Sequence, residues 1–247
     1  MAKKKAATPK SESKPRVLIV YHGSNYTQDI KRMYENHPTI TYDITVKTDE
    51  AIRNLRSKDP GGNSIKGYDI IDQSGSRRKK NLNDESARWI LDNADTETNI
   101  INRCYSAQVL ANYNGVDVAR LNEYQKGKQE IELHQGAEGR EKAYIHKAHR
   151  WGIPVAEDSE SKLELLASSE QVLECGKQKT RIHEIFKSRK NPKHIGIQGH
   201  GEQGVGSDVE GHPQEGVGAT LVQLAGQPPA RHIELEQQMT WRQRHAR

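Results

Sequence analysis

Apolar runs alternate with amphipathic stretches through the first half of the chain. Residues 17–21 form a wholly apolar run, which is typical of a strand buried on both faces of a parallel sheet. The same kind of pattern predicts further strands and helices: strands at residues 39–46, 68–72 and 98–101, and helices at residues 27–36, 50–56, 83–92 and 107–113. This alternation predicts an α/β fold, with an open, mostly parallel, flavodoxin-like sheet covered by helices on both faces.

The second half of the chain contains shorter strand patterns. They are predicted at residues 128–133, 163–168, 171–175 and 194–198. A glycine-rich loop follows at residues 199–218, which hold seven glycines. We therefore divide the chain into a basic arm (residues 1–16), an α/β domain (residues 17–226) and a basic tail (residues 227–247).

Composition narrows the class of protein. The apolar set makes up 33% of the 247 residues with a single Phe, so the core must rest on Ile, Val, Leu and Ala. No run of 18 apolar residues exists, which excludes a membrane-spanning helix, and no signal-peptide pattern follows the first lysines. Cys104 and Cys175 cannot build a disulfide framework, so we expect a cytoplasmic protein, with Cys175 packed on a strand.

Charge is concentrated at the two ends of the chain. The net charge is +5; residues 1–16 alone carry +5 and residues 227–247 carry +2, so the stretch between them carries −2. Basic ends of this kind either keep a protein soluble or neutralise the phosphates of RNA or a ribonucleoprotein. In the second case the contacts would come from five basic residues, Lys3, Lys4, Lys5, Arg242 and Arg244.

A cysteine and a histidine occupy the ends of two predicted buried strands. Cys104 lies where a strand passes into a helix, and the N-terminus of a helix stabilises nearby negative charge. His200 follows the strand at residues 194–198, and Glu202 comes two residues later. Because the carboxyl ends of parallel strands share one edge of a sheet, the three residues could form a nucleophile–His–acid triad.

Three segments resemble the motifs of class I glutamine amidotransferases. Residues 102–108 (NRCYSAQ) resemble the Gly-x-Cys-x-Gly-x-Gln nucleophile segment, residues 198–202 (QGHGE) the Gln-Phe-His-Pro-Glu segment, and residues 74–77 (SGSR) the Ser-Gly-Gly-Pro turn. Within the family, the glutaminase subunit of GMP synthetase is most similar: residues 143–148 (AYIHKA) resemble its Ser-His-Lys-Asp segment. The resemblance runs from about residue 17 to residue 225.

This resemblance implies a glutaminase. Cys104 would attack the glutamine amide, His200 would transfer protons, and Glu202 would orient His200. The ammonia would pass to a synthetase partner, because the chain has no glycine-rich phosphate loop of its own. The resemblance also implies four oxyanion-stabilising or substrate-binding residues, namely Gly75, Tyr105, Gln108 and His146. No metal and no other cofactor is expected.

The chain departs from the family motifs at several positions. Asn102 and Ser106 replace the two glycines around the nucleophile, and Ser76 and Arg77 replace the Gly and Pro of the turn. The Ser and Asp of the Ser-His-Lys-Asp segment are Ile145 and Ala148 here. These changes favour an alternative function, in which a catalytically degraded amidotransferase fold binds RNA or the ribosome through its basic ends. The motifs alone do not decide between the two functions.

Overall fold

The computed structural model describes residues 14–37, 39–76, 81–134 and 141–200. These ranges hold nine strands, five α-helices and a short 3-10 helix at Asn63–Ile65. In chain order the strands and α-helices are β1 (Arg16–Tyr21), α1 (Thr27–Glu35), β2 (Asp43–Thr48), α2 (Asp49–Lys58), β3 (Ile70–Gln73), α3 (Glu85–Asn93), β4 (Asn99–Arg103), α4 (Tyr105–Tyr113), β5 (Ala119–Leu133), β6 (Glu141–Gly152), α5 (Glu157–Lys162), β7 (Leu163–Val172), β8 (Lys179–Ser188) and β9 (His194–Ile197).

All nine strands belong to one sheet, in the order β2-β1-β3-β4-β9-β8-β7-β5-β6. The pairings from β2 to β9 are parallel, and those from β9 to β6 are antiparallel. The predicted α/β class is therefore confirmed, but the expectation of a mostly parallel sheet holds only for its first half. The second half is antiparallel because β5 and β6, like β7 and β8, follow each other without the helix that a parallel crossover requires.

The apolar stretch of β1, residues 17–20, is explained by cores on both faces of the sheet. Val17 and Ile19 pack with α1 on one face, whereas Leu18 and Val20 pack with α2, α3 and α4 on the other. Successive side chains of a strand point to opposite faces, so a strand covered on both sides has no position for a solvent-facing residue. Helices on both faces were predicted from this pattern, and they are present.

The antiparallel half curls until β6 touches the end of β9. The His200 N–H donates to the His146 carbonyl (2.6 Å), and the Gln198 side chain donates to the Trp151 carbonyl (2.9 Å). Gly199 permits this approach, since a Cβ at that position would lie 2.6 Å from Ile145 Cγ1 and 2.7 Å from the His146 carbonyl oxygen. The curl makes β6 a wall beside the carboxyl ends of β4 and β9.

Several elements of the second half differ from the predictions. Strands β6 and β8 were not predicted, β5 is longer than predicted, and the two strands predicted at residues 163–168 and 171–175 are one strand, β7. Cys175 is exposed in the turn after β7 rather than packed, because that strand ends at Val172. Strands β6 and β8 mix charged with apolar residues. Short stretches of that kind also occur in loops, so the sequence pattern did not identify these two strands.

The ends of the chain lie outside the described residues. The predicted arm and tail, with Lys3, Lys4, Lys5, Arg242 and Arg244, remain predictions for this reason, as does Glu202. The first strand begins at Arg16, which the division above had assigned to the arm. Among the described residues, no helix has the length and apolar character needed to cross a bilayer.

Candidate active site

Cys104 occupies a strained turn between β4 and α4. Its backbone has φ 51° and ψ −107°, and it is the only non-glycine residue with positive φ in the described part of the chain. Such a conformation costs about 1–3 kcal/mol and is concentrated at functional sites. The Cys104 N–H donates to the carbonyl of Ile197 (2.7 Å), which ties the turn to the end of β9. The strain is therefore held in place from the neighbouring strand.

His200 and Cys104 both lie beside Gly75. A Cβ built on Gly75 would lie 3.0 Å from Cys104 Cβ and 3.5 Å from His200 Cε1. These three residues follow β3, β4 and β9, so the carboxyl ends of three neighbouring parallel strands converge there. The ring of Tyr26 lies against the His200 ring, with 4.3 Å between the centroids. The structure thus brings together two side chains that are nearly a hundred positions apart in the sequence.

Two backbone N–H groups at this point donate no hydrogen bond within the described ranges. They belong to Gly75, after β3, and to Tyr105, the first residue of α4. The first N–H groups of a helix have no partner inside the helix, and together with the helix dipole they favour an anion. The site therefore offers free donors beside a buried thiol.

The other two predicted substrate-binding residues lie on α4 and β6. Gln108 is buried, and its Nε2 donates to the Trp151 carbonyl over 3.4 Å, a long hydrogen bond. His146 is half-buried and supplies the carbonyl that accepts from the His200 N–H. Both residues therefore border the region of Cys104 and His200.

Solved structures with the same fold include one that is described as a glutamine amidotransferase. A protein from Thermoplasma acidophilum that is described as a GMP synthase subunit aligns with a TM-score of 0.56 at 17% identity, over 78% of this chain and 86% of that chain. The protein SMU.1228c aligns with a TM-score of 0.51 at 14% identity, over 76% of this chain and 77% of that chain. A glutamine amidotransferase from Thermotoga maritima aligns with a TM-score of 0.50 at 16% identity, over 77% of each chain. The chain has the class I glutamine amidotransferase fold. No protein-family model and no curated protein sequence matches it.

Two amide side chains join β3 and β4 just before the corners of this amidotransferase fold. Gln73 and Asn102 are cross-strand partners, and Gln73 Nε2 donates to Asn102 Oδ1 (3.0 Å). Asn102 Nδ2 in turn donates to the Ile195 carbonyl in β9 (3.2 Å). From the sequence, Asn102 was recognised only as a replaced glycine, and the polar Gln73 at the end of an apolar strand was the signal for its partner.

A buried ion pair lies beside this amide pair on the same two strands. Arg103 donates from Nε and Nη2 to the two carboxylate oxygens of Asp72, each at 2.8 Å, and both side chains are almost fully buried. The Tyr34 hydroxyl donates to Asp72 Oδ2 (2.9 Å), and burial raises the pKa of Tyr34 well above its usual value. Tyr34 therefore stays protonated as a donor, and Asp72 accepts three hydrogen bonds.

A second buried polar group lies behind the site, on the curled half of the sheet. Lys147 Nζ donates to Glu184 Oε1 (2.5 Å) and to Ser169 Oγ (3.0 Å), with Lys147 and Glu184 both fully buried. His149 Nδ1 donates to the Trp151 carbonyl (2.8 Å), and burial lowers the pKa of His149 to about 4. His149 is therefore neutral at neutral pH.

One group of side chains in the described residues has the composition of a metal site. The ligand atoms of His22, Asp49 and Asp84 lie within 4.8 Å of one another. Each is already engaged: His22 with Gln73 and Asp49, Asp49 with Arg53, and Asp84 with the first N–H groups of α3. We assign no metal to this group, because these contacts account for its geometry.

Proposed function

We propose that the chain is a glutaminase of the class I amidotransferase type. The observation that carries the proposal is that Cys104, on its strained turn, and His200 both lie next to the position that a Cβ on Gly75 would occupy. A positive φ at a non-glycine residue is costly, and a thiol beside an imidazole is the arrangement that nucleophilic catalysis requires. The likeness to solved amidotransferases supports the fold to which these residues belong.

The reaction would proceed in two steps on Cys104. His200 takes the thiol proton as the sulfur attacks the side-chain amide carbon of glutamine, and the C–N bond breaks as His200 gives that proton to the leaving nitrogen. Ammonia and a glutamyl thioester result. A water molecule then attacks the thioester carbon, His200 accepts the proton of that water, and the thiolate leaves with release of glutamate.

Two further contributions belong to this proposal. The N–H groups of Gly75 and Tyr105 would stabilise the oxyanion in both steps, since each donor is available at the right corner of the sheet. Glu202 would orient His200 and stabilise its protonated form, as the acid of a nucleophile–His–acid triad does. Gln108 and His146 would contact the bound glutamine.

Ammonia from this site would be used by a synthetase partner. One structural neighbour is described as part of a GMP synthase, so we propose a GMP synthetase-like partner that binds the nucleotide and uses the ammonia. Glutamine would then be the substrate of this chain, with the acceptor bound to the partner.

Ammonia release from glutamine tests the proposal. We expect Cys104→Ala to lower the rate by at least about 1,000-fold, because the nucleophile is lost. Cys175→Ala is the matched control, since Cys175 is exposed in a turn away from the site, and its rate should equal that of the unmodified chain. Equal background rates for the unmodified chain and Cys104→Ala would refute the glutaminase.

The second candidate is an RNA- or ribosome-binding function, favoured by the charge of +5 on residues 1–16. In this case, removal of residues 1–13 should abolish a salt-sensitive affinity for ribosomal RNA, because phosphate contacts release counterions. Binding that is unchanged by the truncation would contradict this function. The glycine replacements that suggested a degraded site are an argument of less weight, since Asn102 and Ser106 both make hydrogen bonds to β3 or to the turn that follows it.

A further inference from the structure

The turn after β3 is held by a side-chain hydroxyl group of the helix that follows Cys104. Ser106, in the first turn of α4, is fully buried, and its Oγ donates to the Ser74 carbonyl (2.7 Å). Ser106 replaces the second glycine of the family motif, so a glycine at this position would lack the donor. The bond spans the gap between the Cys104 corner and the corner formed by Ser74 and Gly75.

The same carbonyl shares a peptide plane with the Gly75 N–H. No peptide bond in the described residues is cis, and in a trans peptide the C=O and the following N–H point in opposite directions. A hydrogen bond that fixes the Ser74 carbonyl therefore also fixes the direction of the Gly75 N–H.

The remaining groups of Ser74 are also engaged. Its N–H donates to the Val20 carbonyl (3.0 Å), and its Oγ accepts from the His22 N–H (3.0 Å) and donates to the Gly75 carbonyl (3.1 Å). The bonds to Val20 and His22 anchor Ser74 to β1 and the residue after it, whereas the bond from Ser106 joins the turn to the nucleophile's own helix.

We propose that Ser106 is a positioning residue that orients the Gly75 N–H toward the oxyanion formed on Cys104. The inference rests on the proposed glutaminase function. Its consequence is selective: loss of the hydroxyl should slow steps that form an oxyanion and spare reactions of the thiol that form none. Misplacement of a catalytic group by about 1 Å can cost about 100-fold in rate.

Ser106→Ala tests the proposal, with Ser188→Ala as the matched control. Ser188 is also buried and donates a hydrogen bond of the same length (2.7 Å), but to Asn114. We expect Ser106→Ala to lower the kcat of glutaminase by about 10- to 100-fold with KM changed by less than about 3-fold. Ser188→Ala should keep the kcat of the unmodified chain, and both variants should lose similar stability to urea.

Alkylation of Cys104 by iodoacetamide, which passes through no oxyanion, separates positioning from general loosening. We expect the alkylation rate of Ser106→Ala to equal that of the unmodified chain. An unchanged kcat, or a kcat and an alkylation rate that fall together, would overturn the role of Ser106. An unmodified chain that releases no ammonia would overturn the glutaminase itself, and this inference with it.

Discussion

At the scale of single residues, the candidate site depends on a position without a side chain. Gly75 lies between the nucleophile and His200. Its own φ is not in the left-handed region, so glycine is needed there because a side chain would not fit, and not because of the backbone conformation. The strain of the corner is carried instead by Cys104, whose positive φ turns β4 sharply into α4. The missing side chain of Gly75 and the strained turn at Cys104 together leave the Cys104 and His200 side chains next to the same position.

Gly75→Ala should therefore impair catalysis more than folding. The new methyl group would lie 3.0 Å from Cys104 Cβ, which is tighter than ordinary packing, and would push the thiol from its position. We expect glutaminase kcat to fall by about 100-fold, with a loss of stability of about 1–3 kcal/mol. Gly61→Ala is the control, because nothing lies within 4 Å of its added methyl group. A Gly75→Ala variant with full activity would contradict this geometry.

The residues of this site were predictable from sequence only where a motif carried them. Cys104, Gly75 and His200 were selected because each follows a predicted strand in the order of a known family. The amide pair of Gln73 and Asn102 could not be predicted, because a polar residue in an apolar run does not reveal which strand lies beside it. That information comes from the register of β3 against β4.

At the scale of elements, β3 and β4 are joined by buried polar side chains just before the active-site corners. The pair of Asp72 and Arg103 is bidentate and almost completely shielded from water. Each buried charge needs the other as its partner, because burying an unpaired ion costs several kcal/mol of desolvation free energy. The loss of one partner should therefore destabilise the fold far more than the intact pair stabilises it.

Removing one partner of this ion pair should destabilise the fold strongly, whereas replacing both partners by apolar residues should not. We expect Asp72→Asn to lower the free energy of unfolding by about 3–5 kcal/mol, since it leaves the Arg103 charge uncompensated. The double variant Asp72→Leu, Arg103→Met should recover most of that loss. Glu130→Gln is the control, because it removes the partner of Lys142 in a solvent-exposed ion pair and should leave the free energy of unfolding nearly unchanged. Urea unfolding measures all three, and an Asp72→Asn loss no larger than that of Glu130→Gln would refute the assignment.

The elements of the parallel half were more predictable than those of the antiparallel half. Strands β1, β3 and β4 are buried on both faces, and each contains an apolar stretch between punctuating loops, at residues 17–20, 70–71 and 100–101. Strands β6 and β8 each carry several charged residues and lack such runs, so local pattern could not identify them. Their pairing is set by long-range contacts across the curled sheet.

At the scale of the whole molecule, the curl of the sheet buries histidines that would be charged in water at pH 5. Burial lowers the pKa of His149 to about 4, and the same cause lowers the pKa values of His183 and His194 to about 4. The unfolded chain, with ordinary histidine pKa values near 6.5, binds more protons than the folded chain between these values. The stability that depends on these neutral histidines is therefore fully present above about pH 6.5 and falls as the pH drops from 6.5 to 4.

This pH dependence can be assigned to one residue with His149→Gln. Between pH 7 and pH 5, His149 alone should lower the free energy of unfolding of the unmodified chain by about 2 kcal/mol. The decrease in the variant should be smaller by this amount. Urea unfolding at the two pH values provides the comparison. An equal decrease in the free energy of unfolding between the two pH values in both proteins would show that His149 does not cause the effect.

The placement of Cys104 and His200 side by side at Gly75, as one catalytic site, is the central claim, and covalent trapping tests it most directly. The chloroketone analogue of glutamine alkylates a cysteine thiol in a glutamine-binding site, with loss of chloride. Peptide mass spectrometry then locates the adduct. We predict a single adduct on Cys104 that excess glutamine prevents and that His200→Ala slows. Labelling of the exposed Cys175 instead, or labelling of Cys104 at a rate indifferent to both glutamine and His200, would contradict it.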